Sequence, residues 1–259
     1  MPSWNPDQYL KFVNERTQPV RDLIARIASD SVQQAIDLGC GPGNSTAMLA
    51  ARWPNAEITG IDSAPAMIET ARRDYPRHRW LVDDITRWSR STDARYDLVF
   101  SNAALQWVPD HGGLYPRLFD RVAPGGALAL QVPMSFVAPA HDAMRDLAAT
   151  PAWSPLFPAA GVREWHVETP EFYYDCIAPH AARIDLWQTE YLHVMDNAAA
   201  IVEWYKGTGL RPFLDVLPSD GDRERFLSDY LDRMRDAYPA RPDGRILFPF
   251  MRFFLIAYR

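Results

Sequence analysis

Ala35-Ile36-Asp37-Leu38-Gly39-Cys40-Gly41-Pro42-Gly43-Asn44-Ser45-Thr46 is the stretch that decides the fold. A short apolar run reaches an acid, and glycines follow at positions 39, 41 and 43. Asn44, Ser45 and Thr46 then offer helix N-caps ahead of Ala47-Met48-Leu49. The pattern predicts a buried strand, a tight turn and a helix start. The glycines keep Cβ atoms out of the turn, so a ligand can lie against backbone. The N–H groups that open the helix favour an anionic ligand group nearby.

Downstream, the same unit repeats. A helix runs to about Trp53, where Pro54 stops it, and Glu57–Asp62 reads as a second strand ending in an acid. Asp62 lies about twenty residues past the loop, where an α/β nucleotide fold offers a carboxylate to ribose hydroxyls. Ser63 is the expected cap of the next helix, and Met67 in it is placed to pack on a base or in the core. A third strand, Arg79–Val82, ends in Asp83-Asp84-Ile85. That triplet suits an adenine, with an acid for the exocyclic amine and Ile85 over the ring; the plainer reading is a pair of helix-capping acids. Tyr96–Phe100 is the fourth strand, followed by Ser101-Asn102-Ala103-Ala104-Leu105-Gln106-Trp107, and helix Leu114–Val122 leads through Pro124-Gly125-Gly126 to a fifth strand, Ala127–Val132. Strands alternating with helices predict an α/β fold with a mostly parallel sheet and helices on both faces, its ligands outside the carboxyl ends of the strands.

Upstream, residues 6–29 show helical spacing that Pro19 is expected to divide into two helices. Residues 1–30 read as an N-terminal helical lid, with Trp4, Asn5 and Tyr9 as its bait, or as a packing pair. Residues 31–133 form the α/β core, and residues 134–259 supply mostly helical cap segments and two last strands near 182–195 and 252–259, which complete a Rossmann-like seven-stranded sheet. Short helices are expected at 139–149 and 170–178, and a helical stretch at 197–236 broken at Gly207–Pro212.

The chain has 259 residues, 47% of them hydrophobic and 23% charged, the balance of an ordinary soluble protein. A net charge of −6 argues against a broad nucleic-acid or anionic-membrane surface. The two cysteines, Cys40 and Cys176, form no framework and suit reduced thiols in a cytoplasmic compartment; no signal pattern or membrane-length run stands out. No His, Cys or carboxylate cluster has metal-ligand spacing.

Two nucleotide chemistries use a strand, a glycine turn and an acid. A dinucleotide site wants Gly-x-Gly-x-x-Gly, but counting from Gly39 puts Asn44 at the third glycine, and counting from Gly41 puts Thr46 there. The pattern is instead Asp-x-Gly-x-Gly-x-Gly, and with Asp62 and Asp84 in order it resembles the class I S-adenosylmethionine-dependent methyltransferases. The resemblance implies that Asp37, Gly39, Cys40 and Gly41 face the amino-acid part of S-adenosylmethionine. It implies Asp62 and Ser63 at the ribose, Met67, Asp83, Asp84 and Ile85 around the adenine, and the main chain at Asn102 and Ala103 beside the sulfonium.

A narrower resemblance rests on Trp4-Asn5-Pro6, Asp37–Thr46, Gly60-Ile61-Asp62-Ser63, Pro65–Ile68, Leu105-Gln106-Trp107, Pro109-Asp110-His111 and Thr208-Gly209-Leu210-Arg211-Pro212. These are similar to the trans-aconitate 2-methyltransferase family, over nearly the whole chain. It implies methyl transfer to a carboxylate of trans-aconitate or a similar small polycarboxylate, giving a monomethyl ester and S-adenosylhomocysteine. Such an acceptor is already ionised at neutral pH, so no general base is required. A polycarboxylate approaching an acidic protein needs local cations: Arg211 or Arg252 suits a bidentate clamp, the alternative for Arg211 being a helix-end or surface ion pair. Gln106, Trp107, His193, Tyr174 and Trp204 complete the candidate acceptor set, His193 equally readable as a core histidine and the tryptophans as core or cation–π partners. The competing readings are a methyltransferase for another small acid or hydroxyl, and a non-catalytic cofactor- or partner-binding protein.

Overall fold

The structure, a computed structural model, describes residues 12–158, 161–162 and 165–259. The expected roles of Trp4, Asn5 and Tyr9 lie outside the described residues. In chain order come α1 (Val13–Arg26), β1 (Gln34–Leu38), α2 (Asn44–Arg52), β2 (Glu57–Asp62), α3 (Pro65–Asp74), β3 (Arg79–Val82), α4 (Ile85–Ser91) and β4 (Tyr96–Asn102). Then follow α5 (His111–Asp120), β5 (Val122–Pro133), α6 (Pro139–Ala148), α7 (Pro170–Ile177), β6 (Arg183–Met195), α8 (Ala198–Lys206), α9 (Arg211–Val216), α10 (Asp220–Ala237) and β7 (Ile246–Tyr258).

The strands form one seven-stranded sheet in the order β3-β2-β1-β4-β5-β7-β6. β1 pairs in parallel with β2 and β4, β2 with β3, and β4 with β5, while β7 runs antiparallel to β5. The sheet is therefore mixed, parallel over its first five strands. Those strands are apolar because both faces are covered: Ala35, Ile36, Leu38, Leu98, Val99 and Phe100 are all essentially inaccessible. The strand order reverses between β1 and β4, so the polypeptide leaves the two carboxyl ends in opposite directions and opens a crevice there.

Two compact units divide the chain. One holds residues 13–133, 166–189 and 252–259, and with them the parallel sheet; the other holds residues 134–165 and 190–251 with Phe12. The second unit has its own core, in which Met144, Trp153, Ile201, Tyr205, Phe226 and Phe248 are buried. Its polar ends are paired: Tyr230 donates its hydroxyl to the Ala140 carbonyl at 3.1 Å, Ala140 N–H donates to the Tyr238 hydroxyl at 3.2 Å, and Trp153 Nε1 donates to Asp229 at 2.8 Å.

Local expectations differ at the prolines. Pro19 lies inside α1 instead of splitting it, and Pro212 sits in the first turn of α9, where its missing N–H costs nothing. The break in the late helices therefore ends before Arg211, and a second one separates α9 from α10. Strand β7 begins at Ile246, six residues earlier than the expected start at 252, and Pro249 does not end it. β5 likewise extends back through Pro124-Gly125-Gly126, held where Gly125 N–H donates to the Arg259 carbonyl and Arg259 N–H to the Gly126 carbonyl.

Candidate functional site

The glycine turn is drawn over the end of β2 by two bonds, Gly39 N–H and Cys40 N–H both donating to the Ile61 carbonyl at 2.8 and 3.0 Å. Gly39 has φ +73°, and a Cβ there would overlap the Ala104 side chain, so only glycine fits between the ends of β1 and β4. Gly41 has φ +56° but nothing within 4 Å of the space its Cβ would take. One glycine thus lets the backbone close, and the other leaves an open face. Asp62 braces the turn: Gly41 N–H donates to Oδ2 at 3.0 Å and Ala64 N–H donates to Oδ1 at 2.8 Å. Ser63 does not cap α3: it is exposed, Ala64 occupies the N-cap without a side-chain bond, and Asp62 takes the Ala64 N–H.

Asp37 is wholly buried beneath the turn. Ser45 and Thr46 donate their hydroxyls to its Oδ2 at 2.6 and 2.7 Å, which corrects their expected use as N-caps; Gly43 holds that place with no side-chain cap. Burial pushes the Asp37 carboxyl from an ordinary 3.8 up to about 6, against the pull of the two hydroxyls and aided by the charge of Asp62. Cys40 turns its thiol into a core of Ile68, Ala71 and Trp80, where burial raises its pKa strongly, so only its main chain belongs to the loop surface. Met67 is buried too.

At the end of β3, Asp83 N–H donates to the Asp62 carbonyl at 3.1 Å, and Asp83 Oδ1 accepts from Asp84 N–H and the Arg87 guanidinium. Asp84 is the N-cap of α4, its Oδ1 accepting from Arg87 N–H at 3.0 Å. The capping reading of these acids is therefore present in the structure; a ligand contact would use the oxygens left over. Ile85 is buried, its Cδ1 facing the Gly39 position. Replacing Asp84 with Ala is expected to cost about 1 kcal/mol through the lost cap, and Asp84→Asn to keep it. Thermal melts separate these, while cofactor affinity falling in both variants would mark a ligand role for the charge.

At the end of β4, Ser101 donates its hydroxyl to the Leu38 carbonyl at 2.8 Å. Ala103 has φ +52°, a strained position for a residue with a Cβ, and its N–H donates to the Gln131 carbonyl at 2.9 Å. The Leu105–Trp107 turn follows, with Gln106 buried and Trp107 half-buried. Gln106 Nε2 donates to the Ala103 carbonyl at 2.7 Å. Sequence reasoning passed over what stands behind this turn. His111 Nε2 lies 3.0 Å from the Leu105 carbonyl and its Nδ1 2.9 Å from the Tyr173 hydroxyl, with Tyr115 stacked on Tyr173 at 4.7 Å. Tyr174, the expected site residue, is 49% exposed, and its neighbour Tyr173 is the buried one. The helical spacing of Tyr173 and Ile177 on α7 was the signal that separates them.

Among the described residues, three acceptor oxygens at these strand ends are buried without a hydrogen-bond partner: Asp37 Oδ1, Asn102 Oδ1 and Gln106 Oε1. One strand further, Gln131 Nε2 is a donor in the same condition. Buried unpaired acceptors cost about 1–3 kcal/mol each, and these three lie at the carboxyl ends of the strands, where a ligand could complete them. The chemistry they ask for is cationic or donor-rich, which fits an ammonium and a sulfonium.

The expected acceptor residues fall in both units. In the sheet unit, Arg252 is buried and donates to Gln131 Oε1 at 3.2 Å. In the second unit, His193 and Trp204 come together with ring centroids 4.9 Å apart, both buried. Arg211 opens α9 and pairs with Asp215 at 3.7 Å, its side chain 16% exposed. In the same unit, His141 packs against Trp165 at 4.4 Å, and a Cβ at Gly209 would come within 3.1 Å of its ring. No group of three His, Cys, Asp or Glu side chains among the described residues is placed to hold a metal ion, and no described helix is long and apolar enough to cross a membrane.

Residues 35–126 match the family model described as a methyltransferase domain. Trans-aconitate 2-methyltransferase of Azoarcus sp. strain BH72 is 46% identical, covering 100% of both chains. The enzyme of the same name from Methylobacterium radiotolerans is 47% identical over 99% of this chain and 98% of its own. Among solved structures, the YcgJ protein of Bacillus subtilis matches with a TM-score of 0.58 at 14% identity, covering 93% of this chain and 98% of that one. Phosphoethanolamine N-methyltransferase 2 of Haemonchus contortus gives 0.57 at 15%, covering 93% of this chain and 52% of that one; both share the fold. With sequence similarity running end to end at that level, the chain belongs to the trans-aconitate 2-methyltransferase family, within the S-adenosylmethionine-dependent methyltransferases.

Proposed function

We propose that the chain transfers the methyl group of S-adenosylmethionine to a carboxylate of trans-aconitate, or of a similar small polycarboxylate, giving a monomethyl ester. The observation that carries this reading is the group of unpaired buried acceptors around the glycine turn, on a chain whose full-length relatives bear that enzyme's name. S-adenosylmethionine supplies an electrophilic methyl, whose S–C bond breaks as the C–O bond forms in line, so that sulfonium and carboxylate become sulfide and ester.

The residues then have separate duties. Asp37 Oδ1 accepts the cofactor's ammonium, and the N–H groups that open α2, past the uncrowded Gly41, take its carboxylate end. Each Asp62 oxygen has one N–H donor already, which fixes the carboxylate while leaving lone pairs for the ribose hydroxyls. Asp83 and Asp84 lie at the adenine edge, with Ile85 and Met67 as apolar cover and Ser63 at the rim. The main chain at Asn102 and Ala103 borders the reacting centre, with Trp107 helping to exclude water. No group needs to remove a proton, because the acceptor is ionised.

Acceptor choice belongs to the mostly helical unit of residues 134–165 and 190–251. Within that unit Arg211 is the carboxylate clamp and Trp204 and His193 are further candidates; in the sheet unit the candidates are Arg252 and Tyr174. The ligand is a small molecule, and the free thiols of Cys40 and Cys176 suit a cytoplasmic setting. Arg211→Ala is expected to raise KM for trans-aconitate by about tenfold or more, as for a lost charge-assisted pair, with S-adenosylhomocysteine affinity unchanged. If Arg211 only pairs with Asp215, KM stays put and the melting temperature moves instead. The reading as a whole is tested by kcat/KM across a panel of carboxylates, phenols and amines. Trans-aconitate and its close polycarboxylate relatives should lead; a phenol or amine leading would overturn it.

A further inference from the structure

We propose that Gln106 faces the positive charge at the cofactor's transferring centre, not the acceptor carboxylate, and that a hydrogen-bonded relay through His111 and Tyr173 holds it there. The inference rests on the cofactor part of the function above and is independent of which acid is methylated. The orientation of the amide follows from its neighbours. The Ala103 carbonyl can only accept, so the group 2.7 Å from it must be Nε2, and Oε1 is the end left over. That oxygen is buried and has no hydrogen-bond partner among the described residues, in a side chain only 4% exposed.

An ionised carboxylate brought to Oε1 would set acceptor against acceptor with no proton between them. An electron-poor sulfonium and its polarised methyl reverse the sign, and C–H···O contacts to carbonyl oxygens are favourable. Asn102 Oδ1, four residues earlier at the end of β4, has the same unpaired character and strengthens the negative lining. The acceptor's carboxylate needs cations, and neither residue offers one.

The turn that aims Gln106 is fixed from behind. The Gln106 carbonyl accepts from His166 N–H at 2.7 Å. The Leu105 carbonyl can only accept, so His111 carries its proton on Nε2, and Nδ1 is the acceptor for the Tyr173 hydroxyl. The Tyr173 oxygen in turn accepts from Glu168 N–H at 2.9 Å. Burial keeps the His111 imidazole below its ordinary range, among Tyr115, Tyr173, His166 and Glu168, so the single tautomer persists at neutral pH. His111 and Tyr173 are positioning residues: His111 holds the turn, and Tyr173 holds His111. They also tie the irregular residues 166–169 and the first turn of α7 to the strand-end turn.

S-adenosylmethionine and S-adenosylhomocysteine differ at this centre by a methyl and a positive charge, so their affinities on one protein report what Oε1 meets. Titration calorimetry on the full chain is expected to show Gln106→Met binding S-adenosylmethionine about tenfold more weakly and S-adenosylhomocysteine less than threefold more weakly. Tyr173→Phe keeps the ring stack and should shift the same ratio by about threefold. In ¹⁵N spectra, its His111 should lose the pure Nε2–H pattern of the parent protein. Equal losses for both ligands, or a raised acceptor KM with the ratio unchanged, would overturn the proposal. If Gln106→Met does not fold, the ratio in Tyr173→Phe decides. A parent protein that binds both ligands yet leaves trans-aconitate unmethylated refutes the acceptor assignment alone.

Discussion

Gly39→Ala is expected to abolish measurable cofactor binding and to cost about 2–5 kcal/mol of stability, as left-handed backbone strain and overpacking add. The added methyl has no free direction, since it meets the Ala104 side chain where β1 and β4 part company. Relief requires moving either the turn or Ala103-Ala104, and Ala103 already sits at φ +52°. Both movements break the geometry that carries Asp37, Gly41 and Asn102. Gly41→Ala is the informative companion. Its methyl points into open space, so the protein loses only about 1–2 kcal/mol of backbone preference. If the cofactor occupies that space, its affinity falls by at least tenfold in a protein that still folds. Thermal melts and calorimetry with S-adenosylhomocysteine read both terms, and a Gly41→Ala protein with parental affinity would move the cofactor off this face.

The second large effect concerns Asp37. Its folded pKa, about 6, lies above the unfolded value near 3.8. Between these values the folded state holds a proton that the unfolded chain has lost, so stability falls as pH rises through the window and levels off above it. A shift of that size amounts to about 2–3 kcal/mol of destabilisation at pH 8 in the cofactor-free protein. Asp37→Asn removes the charge and can still accept from Ser45 and Thr46. It is expected to be more stable than the parent at pH 8 by about 1–2 kcal/mol, a few degrees in Tm, with the gain vanishing at pH 4. The same change turns an unpaired acceptor into a donor facing the ammonium, so S-adenosylmethionine affinity should drop by about a hundredfold or more. A variant less stable than the parent at both pH values would contradict the burial argument. The trade of stability for binding is what a functional site buried under a glycine turn entails.

Much of the sheet unit is legible along the chain because each strand is a short apolar run ending in a polar signal. Asp37, Asp62, Asp83 and Asn102 mark the ends of β1 to β4, and period-two against period-3.6 spacing separates strands from helices. What fails to show is which hydrogen bond a polar side chain makes. Ser45 and Thr46 have cap chemistry, but the buried carboxylate of Asp37, eight and nine residues back, competes better for their hydroxyls. At the start of α3, Ala64 takes the N-cap place expected of Ser63 and makes no side-chain cap. Pro19 and Pro212 read as breaks because proline's cost depends on position within a helix, which composition does not reveal. His111 and Tyr173 are 62 residues apart and meet only through tertiary packing, so their pairing leaves no local trace. Tyr174 is the exposed member of an adjacent pair and Tyr173 the buried one, a difference carried by the helical spacing of Tyr173 and Ile177. Arg211 stands in a different position: the loop around it is readable, yet its partner Asp215 emerges only once α9 is in place.

The most direct test of the whole account is a single-turnover reaction of the full chain with methyl-labelled S-adenosylmethionine and trans-aconitate. One label per enzyme should appear in a base-labile monomethyl ester, matched by one S-adenosylhomocysteine. Cofactor bound by calorimetry but label absent from trans-aconitate, or present in a base-stable product, would contradict it.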